Sequence, residues 1–332
     1  MMQRWIPRIR QTWPAFALTA VLCLGMLAGC SEDDCVSCVE PPPVAPTQVY
    51  SESGDGRITV YWNDYPEIYN SDIIGYRVWW RFYHPGDASN PARTFELLDE
   101  VLVGQNYDAD TGQYFYRDIG VDNAVDYEYA VSAYTASAES YLSFEFVVDT
   151  PLPMSESPLA IHDVLGGNAA MSGFDFSVAA EFGEYGENGG AGVVDPTTPG
   201  TQADVRVRFD AQDVPWLETM WGGVRVQDYG TFLDAQGGLD FGGVSWAPEF
   251  GWSESGVLEL IPGHIYVVEL YNEAGTQDLH YAKLGVVSVE DTPTGGAVRV
   301  MWAYQLVDGL PELAAPEPQR PGRDPNLQLI KL

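Results

Sequence analysis

Much of this chain is written in a period of two. Ile58, Val60 and Trp62 alternate with Thr59 and Tyr61, and Tyr76, Val78, Trp80 and Phe82 alternate with Arg77, Trp79 and Arg81. Tyr127, Tyr129, Val131 and Ala133 alternate with Asp126, Glu128 and Ser132, and Phe144, Phe146 and Val148 close the series. Successive side chains of a strand point to opposite faces, so such runs describe half-buried antiparallel strands. The pattern returns in Val205, Val207 and Phe209, in Tyr266, Val268 and Leu270, and in Val298, Val300, Trp302 and Tyr304. No stretch of comparable length has helical spacing. The fold class expected is all-β: a β-sandwich followed by a second antiparallel β domain.

Punctuation sets the boundaries. Pro41 to Pro46 is a stiff, extended stalk. Residues 43–150 form the first domain, 151–158 a short proline-containing linker, and 159–313 the second domain. Glycine clusters at 189–192, 222–223, 237–238, 242–243 and 295–296 break up the second domain, and 183–200 reads as one long loop. Residues 314–332, with four prolines and few apolar groups, read as a disordered tail.

The first domain resembles a fibronectin type III module over most of its length. Pro43-x-x-Pro46-x-x-Val49 fits the entry strand, Ile58-x-Val60-x-Trp62 the second, and Ile74-Gly75-Tyr76-x-Val78 the third. Val121, six residues before Tyr127, with Tyr127-x-Tyr129-x-Val131-x-Ala133, fits the sixth. The resemblance implies seven strands in two sheets, with Trp62 between them and the Tyr127 hydroxyl bonded back to the preceding loop. Such positions name a fold and no activity.

The N-terminal 29 residues read as a secretion signal. Arg4, Arg8 and Arg10 precede an apolar run from Ala15 to Ala28. As a helix that run reaches about 21 Å, short of a bilayer core of roughly 30 Å. It ends in Leu27-Ala28-Gly29-Cys30, which resembles the bacterial lipobox. The resemblance implies cleavage before Cys30 and diacylglycerol on its sulfur, which makes the membrane a partner through a lipid anchor. Ser31-Glu32-Asp33-Asp34 resembles the acidic export tag of Bacteroidota-type lipoproteins, which implies the cell-surface face of the outer membrane. A periplasm-facing anchor is the alternative. Residues 30–42 are then an acidic, proline-rich tether, in which Cys35 and Cys38 are placed for a local disulfide rather than a helix-borne redox site.

Charge narrows the partners. The chain carries 48 acidic and 16 basic residues, a net charge of −32. Such a surface repels phosphate backbones, so no nucleic acid partner is expected.

The second domain resembles HmuY-like lipoproteins in Phe174-Asp175-Phe176, Pro262-Gly263-His264-x-Tyr266, Tyr281-Ala282-Lys283-Leu284 and Val300-Met301-Trp302-Ala303-Tyr304-Gln305. It departs from them where that group often has a Trp-Asp strand, because Ala203-Asp204-Val205-Arg206 stands there. Some members bind haem between two histidines or methionines. That implies His264 and His280 as an axial pair on one rim, with Met301 as a further candidate. No other cofactor is called for.

Catalytic signatures are missing: the sequence has no Gly-x-Ser-x-Gly, no His-Glu-x-x-His and no phosphate loop. Asp108 and Asp110 begin a calcium-loop pattern that lacks its closing acid, so a turn with solvated acids is the better reading. Aromatic residues are the better candidates for a binding site. Trp79 between Arg77 and Arg81 is expected to face outward as a cation–π or partner-binding patch. Trp216, Trp221, Trp246, Phe250 and Trp252 lie in loop-like sequence suited to a sugar or peptide, with a tryptophan-filled core as the bland alternative. The reading is a binding or scaffold module for an extracellular glycan, peptide or protein. A haem carrier is the first alternative, and a surface hydrolase or its accessory the second.

Overall fold

The computed structural model describes residues 41–83, 94–182, 192–198, 202–271, 275 and 277–314. The signal, Cys30, Cys35, Cys38, the acidic tag, His84 and residues 315–332 lie outside the described residues.

The first sandwich runs β1 (Tyr50–Gly54), β2 (Arg57–Asn63), a short helix α1 (Tyr65–Tyr69), β3 (Gly75–Phe82), β4 (Glu96–Leu102), β5 (Tyr107–Asp108), β6 (Gln113–Ile119), β7 (Tyr127–Tyr134) and β8 (Val147–Asp149). Its sheets have the orders β1-β2-β6-β5 and β4-β3-β7-β8, all antiparallel. That is the fibronectin type III arrangement, with the two-residue β5 added to the seven strands expected. The alternation explains the packing. Ile58, Val60 and Trp62 face Tyr76, Val78, Tyr129 and Val131 in one closed core, and Trp62 stacks on Tyr114 at 6.0 Å. The Tyr127 hydroxyl accepts the Asp122 amide at 3.0 Å, closing the expected corner.

One strand departs from its alternation. β7 is buried on both faces. Phe144 and Phe146, expected in the last strand with Val148, instead belong to segment 140–146, which runs along β7 and covers its outer side. Ser140 and Ser143 accept the Ala133 and Val131 amides at 2.9 and 3.1 Å, while their own amides bond to the carbonyls of the same two residues. Leu142 and Phe146 then pack with Ala130 against Trp79 and Phe95 in a small second core. Phe144 points away and is exposed.

The second sandwich contains β9 (Leu159–His162), β10 (Gly173–Phe174), α2 (Phe176–Phe182), β11 (Val193–Val194), β12 (Val205–Phe209), β13 (Pro215–Thr219), β14 (Val224–Thr231), β15 (Val257–Glu259), β16 (His264–Tyr271), β17 (Leu279–Thr292) and β18 (Gly295–Tyr304). The sheets are β11-β10-β12-β13-β15 and β14-β16-β17-β18-β9. Their inner faces share Phe174, Val205, Val207, Leu217, Tyr266, Val268, Val300 and Trp302. Gly296 admits the Phe209 ring, since a Cβ there would lie 2.4 Å from it. Two expectations change here. The 183–200 stretch is not one loop, because Val193–Val194 adds an edge strand to β10. Helix α2 is capped by Asp175, which accepts the Val178 amide at 3.0 Å, while Phe176 and Ala179 enter the core, a helix the period-two pattern does not announce.

The segment expected as a linker is stitched into the structure. Leu152 is fully buried, Met154 bridges to Ala303, and Ser155 and Trp302 exchange hydrogen bonds. Ala314, assigned to the tail, is buried and accepts the Ser53 amide at 2.6 Å. The two sandwiches therefore meet through a packed junction rather than a hinge.

Candidate functional site

The sequence candidates scatter once their elements are placed. Trp79 is half-buried beneath Phe95 and Phe146, and its indole N–H donates to Ser132 Oγ at 2.9 Å. Arg77 pairs with Glu100 and Glu139 and lies over Tyr134. Arg81 pairs with the buried Glu128 at 2.5 Å and lies over Phe95. An outward Trp79 patch is therefore corrected: segment 140–146 roofs it, and the arginines stack on other rings.

The tryptophans of the second domain form no common platform. Trp216 on β13 donates to Asp210 at 3.0 Å, and Trp221 to the buried Asp204 at 3.2 Å. Trp246 bridges to Glu312. Trp252 lies under the Arg225 guanidinium and against the Val244–Ile265–Val267 cluster. All four are half-buried, because the indole is large enough to finish small cores that short strands leave open.

The implied haem pair is also corrected. Leu270 pairs with His280 while His264 lies six positions along the same strand, so the two rings sit about 20 Å apart at opposite ends. Axial ligands of one iron need both rings within a few ångströms of it. Met301 pairs with Gly285, which pairs with Ile265, so it lies on the face of Ile265 and Val267. His264 and His280 share the parity of Tyr266 and Val268, which face the opposite core. No two of the three candidates meet. Asp108 closes a turn by accepting the Asp110 amide at 2.9 Å, a bond that holds its carboxyl below the usual carboxylate range.

Two cavities among the described residues bear on function. The first, ≈ 400 Å³, lies at the junction and is lined by Glu52, Arg57, Met154, Phe241, Lys283 and Met301 among others. Lys283 is fully buried, donates to the Phe241 and Val244 carbonyls at 2.7 and 2.8 Å, and sits 4.4 Å from the Phe241 ring. Burial pushes its ammonium down to about 7.

The second cavity, ≈ 380 Å³, opens between Gln227, Asp228 and Tyr229 of β14 and the loop residues Pro248, Glu249 and Phe250. Phe250 is 80% exposed and Tyr229 38%. Gly251, at φ +97°, turns the loop over Gln227, whose amide would lie 3.0 Å from any Cβ placed there. Beside it the β14–β16 ladder is bulged between Asp228 and Thr231. His264 spans the bulge, with Nδ1 3.0 Å from the Asp228 carboxylate and Nε2 2.9 Å from Thr231 Oγ1. This carboxylate–imidazole–hydroxyl chain was invisible in the sequence, since its three residues come from two strands joined only by the register. Phe250 had been read as a candidate. Tyr229 had not, although it continues the outward parity of Arg225 and Gln227 along β14.

No family model matches the chain, and no curated protein matches it. Among solved structures, one titled as a myokine is 18% identical, covering 33% of this chain and 98% of that one, with a TM-score of 0.23. A fibronectin-like protein from Clostridium thermocellum is 19% identical over 32% and 92%, also at 0.23. The FN1–FN3 domains of chicken CNTN1 are 14% identical over 69% and 61%, at 0.28.

Proposed function

We propose that this chain is a lipid-anchored, surface-displayed binding protein, in which the fibronectin-type sandwich is a spacer and the second sandwich holds an extracellular glycan, peptide or protein. The observation that carries the binding reading is the second cavity, with an 80% exposed phenyl ring on its rim. An exposed aromatic ring beside a cavity offers a ligand a flat apolar face on which to stack. The packed junction supports a rigid spacer. The anchor rests on Cys30 and the segment before it. Cells expressing the full chain are fed labelled palmitate and then treated with protease while intact. Label on the chain that a Cys30→Ser variant lacks, with cleavage on intact cells, supports the reading. An unlabelled chain overturns the anchor, and protection until the outer membrane is ruptured moves it to the periplasmic face.

A hydrolase is the second reading. Asp228, His264 and Thr231 favour it, because a carboxylate-oriented imidazole beside a hydroxyl is how nucleophilic side chains are activated.

A further inference from the structure

The cavity at Tyr229 and Phe250 restricts what can occupy it. Among its lining residues the charged groups are Asp228 and Glu249, both acidic, with no lysine or arginine. Together with a net charge of −32, this disfavours sulfated, phosphorylated or uronic ligands. Gln227 Oε1 is buried, so the lining acceptors left to a ligand are the Asp228 and Glu249 carboxylates. Two aromatic rings, one a phenyl and the other a phenol, stand beside these acceptors. The ligand must then offer apolar C–H faces to the rings and several hydroxyl donors to the oxygens, without carrying negative charge.

A peptide meets the site less well. Peptides commonly bind a sheet by adding to an open edge. β14 is an edge strand, but the Ser253 amide already donates to the Val226 carbonyl at 2.8 Å, so the following loop occupies part of that edge. A volume of ≈ 380 Å³ lies within the range of about 300–1,000 Å³ usual for small-ligand pockets.

We propose that Tyr229, Glu249 and Phe250 form a binding site for a neutral saccharide, whose ring stacks on Phe250 and Tyr229 while its hydroxyls donate to Glu249. This deepens the binding reading above and rests on it.

The test is calorimetric titration of the detergent-solubilised full chain with neutral, uronic and sulfated oligosaccharides and with a lysine-rich peptide, each at low and at 0.5 M salt. The expected result is binding confined to neutral sugars and insensitive to salt, weakened at least tenfold by Phe250→Ala and kept by Phe250→Trp. Because Phe250 is exposed, its loss leaves the fold intact, which a melting curve checks. Salt-sensitive peptide binding that Glu249→Gln abolishes and Phe250→Ala spares would overturn the saccharide assignment, as would no binding to any neutral sugar. Neither outcome touches the palmitate and protease results, which judge the anchored-display reading separately.

Discussion

Glu312 reaches from the end of the second sandwich to the carboxyl of Asp149 in the first, with both groups buried. Ser53 Oγ lies 2.5 Å from Asp149 Oδ1 and 3.2 Å from Glu312 Oε1, and the Thr150 amide donates to Glu312 at 3.3 Å. Two buried carboxyls this close share a proton rather than both ionise. Burial and the neighbouring Asp149 push Glu312 up to about 9, and burial raises Asp149 as well.

The pH consequence follows from proton binding. Between the ordinary carboxylate range and about 9 the folded chain holds a proton at Glu312 that the unfolded chain has released. Stability therefore falls as pH rises through that window and is flat above it. Glu312→Gln imitates the protonated form and keeps an oxygen for Ser53 and Thr150. It should raise the melting temperature at pH 8, by about 2–4 °C for each kcal/mol gained, and flatten the decline between pH 5 and 9. Thermal melts across pH check this. A variant less stable than the parent at pH 8 would show that the pair is not protonated.

Lys283 has the opposite sign. Its folded value of about 7 lies below the ordinary lysine range, so above pH 7 the unfolded chain binds the extra proton and stability rises toward pH 10. Lys283→Met removes that rise and strips two carbonyls of their donor. The expected loss is about 1–3 kcal/mol, larger at pH 9.5 than at 6.5. Denaturant titrations at the two pH values measure it, and an equal loss at both would refute the depressed ammonium.

Ser143 replaces a strand that the sheet lacks. Its hydroxyl is the acceptor for the buried Val131 amide on the outer side of β7. Ser143→Ala leaves that amide without a partner, at a cost of about 1–3 kcal/mol. Ser143→Thr, which keeps the hydroxyl, should cost less. Hydrogen exchange at Val131 reads the effect directly, and unchanged protection in the alanine variant would argue against the assigned bond.

The period-two runs placed the cores of both sandwiches because burial on one face is local information: Trp62, Tyr129, Val207 and Tyr266 all face where their parity puts them. Parity says nothing about a second layer. The outer face of β3 looked open because segment 140–146, which covers Trp79, has the same alternating composition as a strand. Register is likewise not local. His264 and His280 are 16 residues apart in the sequence, and only the pairing of Leu270 with His280 separates them along the strands. The His264 relay depends on the bulge after Asp228, which the sequence marks only by Gly230. Phe250 was legible because proline and glycine around it already denied it a strand.

The Asp228–His264–Thr231 chain separates a hydrolase from a structural clasp, and the neighbouring amides decide which is expected. Acyl transfer at Thr231 needs donors free to hold the developing oxyanion. The Gly230 amide is spent on Asp228 at 2.8 Å, and the Phe232 amide on the Gly263 carbonyl at 2.8 Å. With both flanking amides committed, the expected role of the relay is to hold the bulge beside Tyr229. His264→Ala should then destabilise the chain by about 1–2 kcal/mol, the range for a hydrogen-bonded side chain of this kind, and weaken any ligand held at Tyr229. Chromogenic esters offered to the full chain should be hydrolysed no faster by the parent than by Thr231→Val. Turnover that disappears in Thr231→Val and in His264→Ala, with melting temperature held in the valine variant, would make the clasp a nucleophile and the chain an enzyme.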